Sequence, residues 1–315
     1  MKKVTCNVVL SVALLFSFQA YSSESTHLQI QRTDGSSIDY SIRRNSGDIT
    51  KVLLLVIQGS DCNSVHNNSA ISELELAWPG ADLLLIEKYG ITAALSYSAN
   101  ETRTDCPASY LHRDSLEQRA ADILQLLKTV KAASNYQKVL MIGGSEGAVV
   151  ANIVASQSKL INASASFNGG GRWFKDDVIH SIKNTTADTP ERQAQIDGFS
   201  EMAAKITANP EMQVVISGHG SAWWRSTLQL DQLAILSKVK PPVLIIKADS
   251  DQAVSVQSTD QMINTLITQG QTNISYKKYP GLDHSFRSAD GEEQLSKVVA
   301  DINRWFVSQI RLDAQ

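Results

Sequence analysis

The chain is poor in the residues that would commit it to an unusual architecture. Seven prolines and 17 glycines in 315 residues are too few for a collagen-like or proline-rich rod. Three cysteines cannot build a disulfide scaffold, and a chain of this length buries a sizeable core without one. No apolar run reaches the roughly 20 residues that a membrane-spanning helix requires. Basic charge is not in excess. The formal charge is −3 and the pI about 6.1, so no surface for nucleic acid is expected. Neither an H-E-x-x-H pattern nor paired-cysteine spacing occurs, and no metal or cofactor is expected. Repeats and low-complexity stretches are absent as well. Charged residues at 19% and hydrophobic ones at 43% exclude a disordered chain, leaving one large catalytic-sized domain or two small ones.

The N-terminus reads as a processing segment. Met1-Lys2-Lys3 is a positive head, Val8 to Phe18 is an apolar core, and small residues follow at Ala20, Ser22 and Ser23. That order is expected of a secretory signal peptide over residues 1–22, cut after Ser22 or, alternatively, after Ala20. Export to the periplasm or beyond is the expectation. Cys62 and Cys106 are then the cysteines left, and an oxidising compartment pairs them into a disulfide closing a loop of about 44 residues.

Further along, Leu28–Arg32 and Ile38–Ile42 alternate apolar and polar residues around Asp34-Gly35-Ser36, as a β-hairpin does. Lys51–Ile57, Asp82–Ile86 and Gln137–Ile142 are unbroken apolar runs of strand length, the pattern of strands buried on both faces. Ala163–Phe167, Val243–Lys247 and Asn273–Tyr279 add three more. Ser115–Ala133 has helical spacing, with Ser115 and Gln118 placed as a capping box, and Glu292–Ile310 is a closing amphipathic helix. Strands alternating with helices predict a mostly parallel sheet flanked by helices. Residues from about 172 to 236 are too long for a single crossover. Helical patterns at Asp176–Lys183 and Glu191–Ala208, and the run Gly218-His219-Gly220-Ser221-Ala222-Trp223-Trp224-Arg225, predict a cap inserted into residues 23–315.

The chemistry starts where the strand ending at Ile142 runs into Gly143-Gly144-Ser145-Glu146-Gly147 and a helix. A serine sits on so sharp a strand-to-helix turn only between small neighbours, and the helix N-terminus faces developing negative charge. Serine needs a base, and the base needs an acid. Two strand ends downstream supply them: Asp249 and Asp251 after Val243–Lys247, and His284 after Asn273–Tyr279.

With these pieces in that order the chain resembles the α/β-hydrolase superfamily over residues 28–312, and loosely its peptidase-like and dienelactone-hydrolase-like branch. The resemblance implies a Ser145–Asp251–His284 triad. Ala248-x-x-Asp251-x-x-Val254 is similar to the family's G-x-x-D-x-x-V acid segment and selects Asp251 over Asp249, while Gly281-Leu282-Asp283-His284 looks like its G-x-x-H loop. Two backbone donors for the oxyanion are implied, Glu146 and, in the turn Gln58-Gly59-Ser60-Asp61, Ser60, with Gln58 where the family usually has histidine. Trp223, Trp224 and Arg225 are candidates for the substrate pocket, Arg225 for a substrate carboxylate. His219 is the rival histidine. His27, His66, His112 and His180 lack a strand-end position. The expected function is an exported serine hydrolase cleaving a small ester, thioester or amide through an acyl-enzyme. A peptidase and a non-catalytic binding protein of the same fold are the alternatives.

Overall fold

The computed structural model describes residues 25–45, 50–100 and 103–310. The expected signal peptide lies outside the described residues. Strands β1 (Ser25–Gln31) and β2 (Ser37–Arg43) form the predicted hairpin. β3 (Val52–Ile57), β4 (Asp82–Ile86), β5 (Lys138–Gly144) and β6 (Ala163–Phe167) follow. The eight-stranded sheet has the order β1-β2-β4-β3-β5-β6-β9-β10, with β9 at Val243–Ala248 and β10 at Ile274–Tyr279. From β4 to β10 every pairing is parallel; β1–β2 and β2–β4 are antiparallel.

The central strands are apolar throughout because both faces are covered. On β3, Leu53, Leu55 and Ile57 join one core cluster and Val52, Leu54 and Val56 the other, the period of two that a pleat imposes. Short helix α1 (Ile71–Leu74) and α2 (Ala108–Arg113) precede α3 (Leu116–Ala133). Ser115 caps α3 by accepting the Gln118 amide, but the Gln118 side chain turns to Asp122 instead of closing the box. α4 (Glu146–Gln157) follows β5 directly and is buried along most of its length.

Between β6 and β9 the chain leaves the sheet for α5 (Phe174–Thr185), α6 (Pro190–Ala208), the two-residue strands β7 (Val215–Ile216) and β8 (His219–Gly220), α7 (Ser221–Gln229) and α8 (Gln232–Leu236). The α5–α7 part has a small core of its own in which Ile206, Trp223 and Trp224 pack with Phe174 and Phe199, whereas Leu236 of α8 belongs to the core of the sheet. α9 (Val256–Thr268) and α10 (Leu295–Gln309) complete the fold. α9 escapes the sequence reading because exposed Ile267 and polar Ser258 and Asp260 blur its buried stripe of Thr259, Met262, Ile263 and Leu266. α10 begins three residues later than predicted. Gln294, its N-cap, takes part in the turn before it, donating its amide to Phe286.

Candidate active site

Ser145 sits between β5 and α4 at φ 53°, ψ −125°, a left-handed conformation that costs an L-residue energy unless its surroundings enforce it. They do. A Cβ on Gly143 would lie 2.1 Å from the Gly147 carbonyl oxygen, and one on Gly147 would lie 2.3 Å from that of Ile57. The Ser145 amide donates to Phe167 (2.9 Å), pinning the elbow to β6.

The loops after β9 and β10 bring the acid and the histidine to this serine. His284 Nε2 lies 3.2 Å from Ser145 Oγ, and its Nδ1 lies 2.8 Å from Asp251 Oδ2. Asp249 is turned away and accepts the Gly281 amide at 2.6 Å. The other oxygen of Asp251 accepts the amides of Ala253 (2.9 Å) and Val254 (3.0 Å). Burial alone would raise the Asp251 pKa; the hydrogen bond and charge of His284, together with Lys247, bring it down to about 2.

The turn from Gln58 to Asp61, the candidate for the oxyanion site, is held by its carbonyl oxygens. Arg119 donates from Nη2 to Gln58 (2.7 Å) and reaches Gly59 from Nη1 (3.5 Å). Tyr110 donates to Ser60 (3.2 Å), Lys88 to Asp61, Arg103 to Cys62 (3.3 Å), and the Gln58 side chain to Asn63 (2.9 Å). In a planar trans peptide the C=O and the next N–H point in opposite directions, so fixing the Gly59 carbonyl also fixes the direction of the Ser60 N–H. A Cβ on Gly59 would stand 3.6 Å from Ser145 Cβ, which places this turn against the serine. Glu146 is the first residue of α4, where an N–H has no intrahelical acceptor.

Behind the turn lies a buried polar network. Glu146 accepts from Arg119 on one carboxylate oxygen and from Trp223 Nε1 (2.5 Å) on the other. Burial opposes its ionisation, but the charges of Arg119 and Lys88 keep its pKa below the usual carboxylate range. His219 stacks on Trp223, with ring centroids 3.8 Å apart, and its Nδ1 lies 3.2 Å from the Tyr110 hydroxyl. The Tyr110 hydroxyl thus stands 3.2 Å from both the Ser60 carbonyl and His219 Nδ1, and the direction of the second hydrogen bond follows the tautomer of the ring. Burial pushes the His219 pKa down to about 4, so the ring is neutral at neutral pH. His219 therefore braces the turn, and His284 is the histidine beside Ser145.

Ser145 opens into a cavity of about 810 Å³. The cap contributes Phe174, Ile182, Trp223 and Trp224, and the loops joined by the Cys62–Cys106 disulfide contribute Asn63 and Arg103. Among the described residues no cluster of side chains is arranged to hold a metal ion.

The profile of the prolyl oligopeptidase family matches residues 110–313, well over half of the chain. The chain belongs to the prolyl oligopeptidase family. No curated protein matches it by sequence. Among solved structures it is similar to Est1E from Butyrivibrio proteoclasticus, at 16% identity and a TM-score of 0.60, covering 91% of this chain and 99% of that one. It is also similar to the acylaminoacyl peptidase of Pyrococcus horikoshii, at 14% identity and a TM-score of 0.62, covering 95% of this chain but 44% of the peptidase. The Pyrococcus furiosus esterase Pf2001 aligns at 12% identity and 0.56, over 91% and 93% of the two chains. At these identities the likeness establishes the α/β-hydrolase fold.

Within this prolyl oligopeptidase family member, Trp223 and Trp224 line the cavity as the sequence suggests, and Arg225 does not. It donates to the Met212 carbonyl (3.1 Å). α7 is a helix, and two steps of about 100° carry residue 225 away from the face that Trp223 presents. Three residues that the sequence reading passed over support the site. Asn168, at φ 51° after β6, donates to the His284 carbonyl and accepts the Ala248 amide, both at 2.9 Å. Phe286, at φ 60° and 1% exposed, anchors the His284 loop against Phe167 and Tyr279. Lys247, the penultimate residue of β9, meets Asp251 directly.

Proposed function

We propose that the protein is a serine hydrolase that cleaves an ester, thioester or amide through an acyl-enzyme. Ser145 Oγ attacks the substrate carbonyl carbon as His284 Nε2 takes its proton, and the Ser60 and Glu146 amides receive the resulting oxyanion. His284 then returns the proton to the leaving group as the carbonyl bond to it breaks. A water, deprotonated by the same imidazole, releases the acid and restores Ser145. Asp251 holds the imidazole in the tautomer that leaves Nε2 free to accept. The observation that carries this reading is the continuous chain of contacts from Ser145 through His284 to Asp251, at 3.2 and 2.8 Å.

An esterase is the first choice within this class. The overlap with nearly the whole of Est1E and of the Pyrococcus esterase supports it, and family membership keeps peptide bonds as the second reading. We also infer export, with residues 1–22 removed; the disulfide between Cys62 and Cys106 supports an oxidising compartment. A fluorophosphonate probe tests the core of the proposal. Wild type should be labelled and Ser145→Ala should not, and a panel of esters, thioesters and peptides then ranks the substrates. Failure of the wild-type protein to label would sink the serine hydrolase reading in favour of a binding protein.

A further inference from the structure

A lysine has no ordinary place in the middle of a sheet. Lys247 occupies the C-terminal part of β9 with a relative exposure of 1%, in the run Val243-Leu-Ile-Ile-Lys-Ala248 whose other members are all buried. A buried ammonium must be paired, and a well-packed apolar residue would satisfy the fold as well or better. Here the pairing is specific. Lys247 Nζ lies 2.5 Å from Asp251 Oδ2, the same oxygen that faces His284 Nδ1, and it also donates to the Val254 carbonyl at 2.9 Å.

Resting on the serine hydrolase reading, we propose that Lys247 is a positioning residue of the catalytic acid, whose charge on Asp251 Oδ2 shapes the pH dependence of Ser145 reactivity. The two donors share Oδ2 at hydrogen-bond distance, so a positive charge stands ~5 Å from the imidazole, close enough to act strongly in a half-buried setting. It offsets part of the carboxylate's electrostatic pull on the imidazole ring. Geometry does not depend on it. Asp251 remains anchored through Oδ1 by the Ala253 and Val254 amides, and the His284 carbonyl is held by Asn168.

The other charged or titratable groups around this pair are few. Asp177 of α5 is buried and accepts the Ser255 amide at 2.9 Å and the Gly171 amide at 3.1 Å. His180 of the same helix places Nε2 3.0 Å from the Asp251 carbonyl oxygen. Asp260 of α9 acts on Lys247 through space and is itself engaged with Tyr276 and Lys278. Asp249 and Asp283, on the two loops, are occupied by backbone amides. Among the described residues, Lys247 is the one lysine or arginine in direct contact with Asp251.

The test is the pH dependence of fluorophosphonate labelling, which reads Ser145 reactivity without a known substrate. Lys247→Met keeps the length of the side chain and removes its charge. The expected result is an acid limb moved to higher pH by about one unit, with the plateau rate at alkaline pH within about tenfold of wild type. Lys247→Arg, retaining the charge, should return the limb toward the wild-type position. If Lys247→Met does not fold, Lys247→Gln is measured in its place and should show the same displacement. A limb unmoved within about 0.3 unit in the neutral variant overturns the proposal. So does failure of both neutral variants to fold, which would assign Lys247 to stability alone. In either case a labelled wild type leaves the serine hydrolase reading standing. An unlabelled wild type removes both.

Discussion

The two flanks of Ser145 are built by opposite means. On one side, Asp251 and His284 bring their own side chains to the serine from two strand ends, and in the proposed mechanism each performs a step that no neighbour can take over. On the other, the oxyanion turn contributes backbone N–H groups, and its six carbonyls from Gln58 to Asn63 are held by five side chains: Arg119, Tyr110, Lys88, Arg103 and Gln58. Function is concentrated on the first flank and distributed over the second. Damage should therefore be all-or-none on the acid–base side and graded on the oxyanion side.

The largest effect tests the concentrated flank. Ser145→Ala should lower kcat for an activated ester by about four orders of magnitude or more, with the thermal melt nearly unchanged, because among the described residues Ser145 Oγ hydrogen-bonds only to His284. Residual activity within tenfold of wild type would remove Ser145 from the mechanism. Next, Asp251→Asn should cost about 10⁴ in kcat through the wrong imidazole tautomer. It should also lower the melt, since Lys247 is left buried without its partner. Asp249→Asn should do far less, and the reverse ranking would move the acid to Asp249.

On the distributed flank the losses should be smaller and stepped. Arg119→Met releases the Gln58 and Gly59 carbonyls and leaves the Glu146 carboxylate without its cation. A kcat loss of about 10²–10³ with little change in KM is expected, together with ~3–5 kcal/mol of stability. If kcat stays within twofold, the turn does not depend on its carbonyl holders. Reducing the Cys62–Cys106 disulfide should depress activity before the domain unfolds, since the bridge fastens the end of the same turn. Intact exported protein should show the mass two units below the dithiol. Two alkylatable thiols would contradict the bridge. Tyr110→Phe is the mildest change. It loses one donor to Ser60 and the partner of His219, for about 1 kcal/mol and a few-fold in kcat.

The concentrated flank is also the one the sequence displays. Ser145 is visible because Gly143 and Gly147 record a local steric demand, and His284 and the pair Asp249 and Asp251 because strand ends can be located from apolar runs; the family resemblance singles out Asp251. The holders of the distributed flank are not visible. Arg119 and Tyr110 lie on helices whose periodicity reveals which face is buried but not which loop that face meets. Lys247 at the end of an apolar run reads as the point where a strand re-enters solvent, and Asn168 as an ordinary loop residue. Arg225 shows the converse error, where adjacency to two tryptophans is mistaken for a shared direction.

By itself, the sequence determined the alternation of strands and helices and the elbow with its serine. These follow from short-range rules: period, steric room and the order of strand ends. Only the tertiary structure decided which groups oppose one another across the sheet. Residues 58 and 119, or 146 and 223, are distant in the chain, and no local pattern encodes their meeting. The pairing of buried charges is set by burial from all sides, because a carboxylate such as Glu146 becomes tolerable only when Arg119 and Trp223 arrive from two different helices.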